Sequence, residues 1–457
     1  MLFTLLILVQ RFKDGLGYFT VQEMAVFIIA VIVTTAVSYL LLHLMIRERI
    51  VSLMLAGLFS YLFFNAHRTY LIVEKKITGY EYFASDIPNR ILTLLLLALI
   101  TLVIFVVAYR GLKRHRQIAT WFLILFLAIN IAAEVFLAIR QHVRLTRELT
   151  PLGPVTAGSE RERPNIYYIV FDSYTSLESL EKYWGYTDRT LDPVLSSRKV
   201  NYSPSARTRF TSTPYCISSC LNMAWEQPVK SEDLYILYQS LWNIRNNTLI
   251  AFLKERNYRV ENMSLFMLGN ERNAYFYFRQ VSIWGRSFPY LVYKLIRKLN
   301  PTPYEIRVNF GLARKVEEQS KLSAGSAQPV FTYAHLMLPH SRYLLDSAGC
   351  RQRETGLPDK ERYLEQLKFA RKMMVWFYTT IIRNDPRAVI IIQGDHGFRY
   401  LDNPVDREAE AHTVFNSMYL SGHLLPPDTL AGLAIPVNTF RIVLNKYFGT
   451  RIPLEKI

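Results

Sequence analysis

Cysteine and charged residues are both scarce in this sequence. The 457 residues include three Cys, too few for a small fold held together by disulfide bonds. Charged residues make up 20% of the chain and hydrophobic residues 51%, a balance that excludes an intrinsically disordered protein. The sequence contains no internal repeat and no low-complexity tract. Its length predicts two or three domains, and the uneven distribution of apolar residues indicates where they lie.

Acidic residues are also in deficit, with 37 Asp and Glu against 54 Lys and Arg and a formal net charge of +17. No motif of a nucleic-acid-binding module accompanies this charge, and we expect no nucleic acid partner. Much of the charge lies in short loops between apolar segments and in residues 140–163. Because such positions suit anionic lipid headgroups, the charge predicts contact with a membrane surface.

Long apolar segments fill the N-terminal third of the chain. Crossing a bilayer takes about 20 apolar residues, and four segments meet or approach that length, at residues 24–45, 50–66, 91–109 and 118–139. Because apolar segments recur, we do not interpret the first of them as a cleaved signal peptide. A fifth segment, residues 1–9, is short, and the sequence leaves open whether it spans. We therefore predict four or five transmembrane helices.

Short basic loops predict the orientation of these helices, because Lys and Arg favour the cytoplasmic side. Arg47 and Arg49 lie in one such loop, and residues 110–116 carry four more Lys and Arg. The connection at 67–90 contains acidic residues that offset its basic ones, so we expect it outside. Everything after about residue 140 is then extracytoplasmic, in a multi-pass protein of the cell inner (cytoplasmic) membrane.

The composition changes after the last apolar segment. Residues 151–158 have the composition of a linker, and we predict a transmembrane region at 1–140, a juxtamembrane linker at 141–163 and an extracytoplasmic catalytic domain at 164–457. In the last part, strand-like runs at 165–171, 258–261, 329–334, 389–392 and 414–420 alternate with helical patterns. This alternation predicts an α/β domain with a mostly parallel central sheet and helices on both faces.

Polar residues follow three of these strand-like runs. Asp172 follows the first run, His335 and His340 follow residues 329–334, and Asp395 and His396 follow residues 389–392. Open α/β sheets bind ligands at the carboxyl ends of their strands. Asp and His are ligands of catalytic divalent metals, which keep one coordination position open. The sequence therefore predicts a site for Zn²⁺ or Mn²⁺, without choosing between them.

A segment rich in hydroxyl and thiol groups, residues 207–222, supplies candidate nucleophiles. A hydroxyl is a weak nucleophile at neutral pH, and coordination to a metal activates it. A Cys nucleophile is the alternative, although a hard metal centre favours oxygen. The pairing of Cys216, Cys220 and Cys350 stays open, since an odd count leaves at least one thiol free.

Three short motifs resemble those of the alkaline phosphatase/sulfatase superfamily. Residues 164–173 (Pro-Asn-Ile-Tyr-Tyr-Ile-Val-Phe-Asp-Ser) resemble its opening strand, where the acidic residue ligates the metal. Residues 391–397 (Ile-Ile-Gln-Gly-Asp-His-Gly) resemble its second signature, where both Asp and His are ligands. Residues 335–340 resemble the segment whose histidines hold the transferred group or a second metal. With the N-terminal helices, the whole architecture resembles the membrane-anchored branch of lipoteichoic acid synthases and lipid A phosphoethanolamine transferases.

The resemblance implies a transferase with a Thr nucleophile. Such an enzyme takes phosphoethanolamine or phosphoglycerol from a phospholipid and passes it to a cell-envelope glycan through a phospho-threonine intermediate. By position we assign the nucleophile to Thr213, with Thr211 and Ser212 as alternatives. The expected metal ligands are Asp172, Thr213, Asp395 and His396. The expected substrate-binding residues are His335, His340, Arg399 and His412, with Arg suited to bidentate phosphate recognition.

Two other functions are compatible with the sequence. The first is a hydrolase on the same site, either a sulfatase or a phosphodiesterase. A sulfatase is disfavoured because residues 203–207 (Ser-Pro-Ser-Ala-Arg) place Ser205 where Pro or Ala belongs in the motif for formylglycine. The second is a non-catalytic scaffold for envelope assembly that retains the fold. Another departure from the superfamily is Arg342, which follows His340 where many relatives have Pro, and which could meet a phosphate.

Overall fold

A computed structural model describes residues 2–14, 19, 21–78, 87–148, 158, 162–187, 191–226, 234–269, 271, 284–299, 302–352 and 358–456. The chain divides into two compact units. A helical unit comprises Met1–Glu148 and Val281–Asn300, and an α/β unit comprises Leu149–Gln280 and Pro301–Ile457. The sequence did not predict that Val281–Asn300, from the second half of the chain, would belong with the N-terminal helices.

Within the described residues the chain forms sixteen α-helices, six β-strands and a short 3-10 helix at Gly432–Ala434. The helices are α1 Leu2–Asp14, α2 Val21–Ile46, α3 Arg49–Thr78, α4 Ile87–Arg114, α5 Arg116–Glu148, α6 Leu177–Trp184, α7 Asp192–Ser197, α8 Thr213–Asn222, α9 Leu234–Arg245, α10 Thr248–Glu255, α11 Phe288–Leu299, α12 Thr302–Ala324, α13 Asp359–Asn384, α14 Pro404–Ala411, α15 Pro427–Ala431 and α16 Asn438–Phe448. The strands are β1 Ile166–Phe171, β2 Asn201–Ser203, β3 Arg259–Met263, β4 Val330–Leu336, β5 Val389–Gly394 and β6 Asn416–Leu420.

Four helices of the helical unit are long and apolar enough to cross a membrane, at Val21–Ile46, Arg49–Lys76, Ile91–Arg114 and Arg116–Arg140, among the residues searched. Their outward side chains are large and apolar, as at Leu44, Leu102 and Phe122, each of which is exposed. Such a surface is unfavourable in water and suits hydrocarbon. The four long apolar helices predicted from the sequence are therefore confirmed. The first apolar segment forms the shorter helix α1, which packs Phe3 and Leu6 against Leu127 of α5.

The α/β unit is built on one mixed sheet with strand order β2-β6-β5-β1-β4-β3. β1 is central and runs parallel to both β4 and β5, and β3 is parallel to β4. The remaining two strands, β6 and β2, pair antiparallel at one edge. The predicted mostly parallel sheet is confirmed, with an antiparallel edge that the sequence pattern does not reveal. β2, three residues long, is also absent from the prediction.

Helices cover both faces of this sheet, as predicted. Tyr167, Ile169 and Phe171 of β1 point to one face, where they join a core that includes Val316 of α12 and Phe377 of α13. Side chains one position along the strand point to the other face, where Tyr168 stacks on Tyr333 and meets the edge of Phe440 on α16. β1 is thus buried along its whole length, which explains its unbroken apolar sequence.

Strand register brings the ends of β1, β4 and β5 to the same level. Phe171 pairs with Leu336 on one side and with Gly394 on the other. The residues that follow these positions are therefore delivered to a single edge of the sheet. This edge carries the polar residues that the sequence singled out.

Candidate metal centre

Asp172 is the first residue beyond β1, and it is buried. Its backbone N–H donates to the carbonyl of Leu336, which extends the strand ladder by one residue (2.9 Å). The chain then turns sharply at Ser173, whose φ of 66° lies in the left-handed region. This turn leaves the Asp172 carboxylate at the end of the sheet.

Three histidines surround the Asp172 carboxylate. His335 Nε2 lies 3.3 Å from Oδ2, while His396 Nε2 and His340 Nε2 lie 3.6 Å and 4.0 Å from Oδ1. Burial alone would raise the pKa of this carboxyl group. The nearby His340 and the hydrogen bond from His335 outweigh burial and hold the pKa of Asp172 well below its usual range. Asp172 is therefore ionised and available to a cation through Oδ1.

Asp395 is oriented by two backbone N–H groups. Its Oδ1 accepts hydrogen bonds from Ser173 N–H and from His396 N–H, each at 2.9 Å. Its Oδ2 is buried and has no hydrogen-bond partner among the described residues. A buried carboxylate oxygen without a partner is costly, and a bound cation is one way to satisfy it.

His396 is fully buried, and its neighbours determine which ring nitrogen carries the proton. Nδ1–H donates to the carbonyl of Gly397 at 2.8 Å, so the lone pair of the neutral ring is on Nε2. Burial lowers the pKa of His396 despite the opposing charges of Asp395 and Asp172. The ring is therefore neutral.

The Nε2 lone pair faces two carboxylate oxygens. It lies 3.6 Å from Asp172 Oδ1 and 3.6 Å from Asp395 Oδ2, and it has no hydrogen-bond partner in the described part of the chain. Such an arrangement is repulsive unless a cation lies between the three atoms. Tetrahedral Zn²⁺ with bonds of about 2.1 Å would hold its ligands about 3.4 Å apart, close to the observed separations. Asp172, Asp395 and His396 thus fit a divalent metal, and oxygen and imidazole donors suit Zn²⁺ and Mn²⁺ alike.

His335 is buried behind this cluster and has no exposed surface. Because a carboxylate only accepts, His335 Nε2–H donates to Asp172 Oδ2, and Nδ1 then accepts from the Tyr333 hydroxyl at 3.0 Å. Atoms of Asp172, His335 and Asp395 lie within 4.8 Å of one another, so the ring is close enough to be a ligand as well. Its hydrogen bonds hold Asp172 in place, and its role as a substrate contact stays a prediction.

Thr213 is the first residue of α8, and it is buried next to the N-cap residue Ser212. Two contacts place α8 beside the end of β5 and the loop after it. Gln393 of β5 donates from Nε2 to Cys220 Sγ of α8 at 3.3 Å. Arg399, three residues after His396, donates from Nη1 to the carbonyl of Thr211 at 3.0 Å. The structure therefore brings the hydroxyl-bearing segment 211–213 and Arg399 to the same edge as the acidic residues.

The thiols offer a poorer nucleophile than the hydroxyls. Burial raises the pKa of the Cys216 thiol well above its usual value and that of Cys220 to about 12. Both thiols are therefore protonated at neutral pH, and the thiolate is the reactive form. The three cysteines are all unpaired, with Cys350 exposed.

Two other predicted substrate residues differ in their surroundings. His340 is partly exposed and donates from Nδ1 to the carbonyl of Ser341, which leaves Nε2 directed at Asp172. His412 donates from Nδ1 to the carbonyl of Thr208 at 2.9 Å, and its Nε2 lies 3.1 Å from Glu408. Both ring nitrogens of His412 therefore have partners within the protein, and its role in substrate binding stays a prediction.

Glu410, at the end of α14, forms a second buried carboxylate cluster that the sequence did not indicate. Its Oε2 accepts from Thr413 Oγ1 at 2.9 Å and from Ser179 Oγ, and its Oε1 accepts from Phe398 N–H at 3.3 Å. Burial raises the pKa of Glu410 to about 7. A Cβ added to Gly397 would lie 2.1 Å from the Glu410 carbonyl, so the loop after His396 requires glycine for this close approach.

Sequence reasoning missed three residues that shape the site: Ser173, Tyr333 and Glu410. The sequence did contain a pattern that indicates Tyr333, since it is two residues before His335 on one strand and so faces the same side. It also contained one for Ser173, because Asp-Ser after a strand is a common turn pair. Glu410 had none, since its burial depends on contacts with α6 and with the loop after β5.

Comparison with known proteins gives structural matches only. No protein-family model and no curated protein sequence matches the chain. Solved structures that match include the C-terminal periplasmic domain of EcEptC from Escherichia coli in complex with Zn, at 13% identity and a TM-score of 0.40, over 66% of this chain and 87% of that one. Another is the integral membrane protein lipooligosaccharide phosphoethanolamine transferase A from Neisseria meningitidis, at 12% identity and a TM-score of 0.39, over 87% of this chain and 75% of that one.

The lipoteichoic acid synthase LtaP from Listeria monocytogenes also matches, at 14% identity and a TM-score of 0.37, over 60% of this chain and 70% of that one. The functional argument below rests on the residues of the site.

Proposed function

We propose that this chain is a membrane-bound metalloenzyme that moves phosphoethanolamine or phosphoglycerol from a phospholipid to a cell-envelope glycan. One observation carries the proposal. The lone pair of His396 Nε2 and the unpaired Oδ2 of Asp395 converge on ionised Asp172 in a buried site, which is the arrangement of a divalent metal site. The motif resemblance, the buried Thr213 nearby and the membrane helices supply the rest of the argument.

The residues have distinct roles in this proposal. Asp172 Oδ1, Asp395 Oδ2, His396 Nε2 and the Thr213 hydroxyl would hold the metal. When bound, the metal would lower the pKa of the Thr213 hydroxyl and balance the negative charge of the reacting phosphate. His335 orients Asp172, while Ser173 N–H orients Asp395. His340 and Arg399 hold the non-bridging phosphate oxygens, because the partly exposed His340 ring lies beside Asp172 and the Arg399 guanidinium lies beside Thr211.

The transfer takes place in two balanced displacements. Thr213 Oγ forms a bond to phosphorus, the bond from phosphorus to the diacylglycerol oxygen breaks, and the hydroxyl proton of Thr213 ends on that departing oxygen. A hydroxyl of the glycan then attacks the phosphorus of phospho-Thr213. The bond from phosphorus to Oγ breaks, and the glycan's hydroxyl proton ends on Thr213. The buried setting of Thr213 limits competing attack by water.

The location follows from the helices and their flanking charges. The α/β unit lies on the extracytoplasmic side of the inner membrane, and the lipid donor comes from that membrane. This assignment explains why a phosphate-handling site accompanies membrane helices in one chain.

Intact-mass and peptide mass spectrometry of the detergent-purified protein tests the proposal. We expect an adduct of phosphoethanolamine or phosphoglycerol mass on Thr213, absent from Thr213→Ala and retained in the neighbouring controls Thr211→Ala and Ser212→Ala. An adduct that persists in Thr213→Ala and disappears in one of the controls would reassign the nucleophile. Release of free phospho-alcohol without a modified acceptor would establish a hydrolase. If the protein carries no adduct and binds no metal, that result would contradict an enzymatic role and favour the scaffold.

A further inference from the structure

The segment Val281–Asn300 leaves the α/β unit and joins the helical unit. We infer that its helix α11 lies in the membrane–water interface and anchors the chain to the phospholipid leaflet a second time. The membrane helices α2–α5 provide the first attachment. The α11 attachment goes beyond the proposed transferase activity, because it depends on the packing and amphipathic pattern of this segment and not on the metal centre.

Backbone hydrogen bonds fix the start of the segment to α3. His67 donates from its backbone N–H to the carbonyl of Arg286 at 2.8 Å and from Nδ1 to the carbonyl of Gly285 at 2.7 Å. His67 also meets the ring of Tyr290 edge-on, at 5.1 Å between centroids. The Trp284 ring packs edge-on against Phe27 of α2, at 5.3 Å between centroids. The segment is thus held by specific contacts to two membrane helices.

One face of α11 packs on the neighbouring helices. Leu291 is fully buried among Ala66 and Tyr70 of α3, and Leu295, one turn later, joins the same cluster with Leu94 and Leu97 of α4. The spacing of Leu291 and Leu295 is that of one helix face. This face therefore seats α11 against α3 and α4.

Part of the apolar side of α11 remains exposed. Phe288 is 45% exposed, although its ring lies 5.6 Å from that of Phe63 on α3 between centroids, and Ile296 is 62% exposed. We call these two side chains the exposed stripe of α11. The helices on which α11 packs also expose apolar side chains, among them Ile72 of α3 and Leu95 of α4. Because hydrocarbon covers such side chains on the membrane helices, lipid is the partner that we infer for the stripe on α11.

The polar side of α11 suits a phospholipid surface. Lys294 lies over the ring of Tyr290, 5.2 Å from its centroid, and Arg297 and Lys298 follow in the sequence of the helix. An apolar stripe combined with Lys and Arg is typical of helices that lie in the plane of the interface. Aromatic residues such as Trp284 and Tyr290 are also enriched at this depth.

The length of α11 argues against a further membrane crossing. Its 12 residues extend over about 18 Å, well short of the roughly 30 Å hydrocarbon core. A shallow interfacial helix satisfies this constraint.

Spin-label accessibility of the full-length protein in phospholipid nanodiscs tests this inference. The label is placed at Ile296→Cys in a Cys350→Ser background, where Cys216 and Cys220 are each 2% exposed. The matched control is Leu322→Cys on α12 of the α/β unit, where the native side chain is 66% exposed. Collisions with oxygen, which concentrates in lipid, and with a water-soluble nickel chelate are measured at both sites.

We expect the label at position 296 to be accessible to oxygen and protected from nickel, at about 5–10 Å below the lipid phosphates. The label at position 322 should show the opposite preference. A nickel accessibility at 296 equal to that at 322 would overturn the inference, since α11 would then lie in water. Protection of position 296 from both reagents would also overturn it, because protein rather than lipid would then cover the stripe. The readout involves no catalysis, so the outcome is independent of the transferase proposal.

Discussion

The α/β unit contains two sites with buried carboxylates, Glu410 in one and Asp172 with Asp395 in the other, and they differ in how their oxygens are satisfied. Around Glu410, Ser, Thr and backbone donors supply hydrogen bonds to the side chain, and burial raises its pKa to about 7. Around Asp172 and Asp395, one oxygen of each carboxylate is oriented by protein donors and the other faces the lone pair of His396. Burial alone therefore does not identify a metal site, whereas convergent and unpaired ligand atoms do.

Removing a ligand atom should give the largest effect. In His396→Ala the metal site keeps its two carboxylates but loses its neutral nitrogen ligand, so the metal content of the protein should fall to background. Turnover should drop by about 10³-fold or more, since a bound metal supplies several kcal/mol of transition-state stabilisation. Metal analysis and transfer assays measure both quantities. The control His423→Ala, outside the site, should retain both, and full metal occupancy in His396→Ala would remove His396 from the metal centre.

The Glu410 cluster should respond to pH rather than to metal. Its pKa is raised from 4.5 to about 7, so the folded state binds the proton more tightly than the unfolded state does. Glu410 therefore contributes about 3 kcal/mol to the free energy of unfolding below about pH 4.5, and this contribution is lost as pH rises through about 7. Glu410→Gln, which stays neutral, should flatten this slope in the free energy of unfolding.

The matched control for that measurement is Glu181→Gln on α6, where the side chain is exposed. It should retain the wild-type pH dependence. An unchanged slope in Glu410→Gln would mean that the buried carboxyl group ionises with an ordinary pKa, and the contrast between the two clusters would then fail.

The smallest expected effect comes from the residue that orients His335. Tyr333→Phe removes the hydroxyl that donates to His335 Nδ1, so the ring loses its fixed tautomer and Asp172 is held less firmly. Metal affinity should fall by about tenfold, as is usual for a residue behind a metal ligand. Competition with a chelator measures the change. Tyr168→Phe, on the neighbouring strand and stacked on Tyr333, is the matched control and should bind metal normally.

Local patterns predicted much of the fold and part of the site. The apolar runs at 165–171 and 389–392 are strands because their residues are buried on both sides, and the residues after them meet because parallel neighbours end at one edge. Asp172, Asp395 and His396 could therefore be placed together from the sequence. Their roles as ligands, and that of Thr213 as nucleophile, stay predictions.

What the sequence could not give depends on contacts between distant segments. The antiparallel pairing of β2 with β6, the burial of Glu410 and the orienting bond from His335 to Asp172 involve partners far away in the chain. The same is true of Val281–Asn300, whose sequence is amphipathic but whose partner α3 lies more than 200 residues earlier. Periodicity shows which face of an element is apolar, and it does not show what covers that face.

Anomalous diffraction from crystals of the full-length protein loaded with Zn²⁺ tests the central claim most directly. The account predicts one anomalous peak bonded to Asp172 Oδ1, Asp395 Oδ2 and His396 Nε2 at about 2.0–2.2 Å, as expected for Zn²⁺ with oxygen and nitrogen ligands. No peak at these atoms, or a peak bonded elsewhere in the chain, would contradict it.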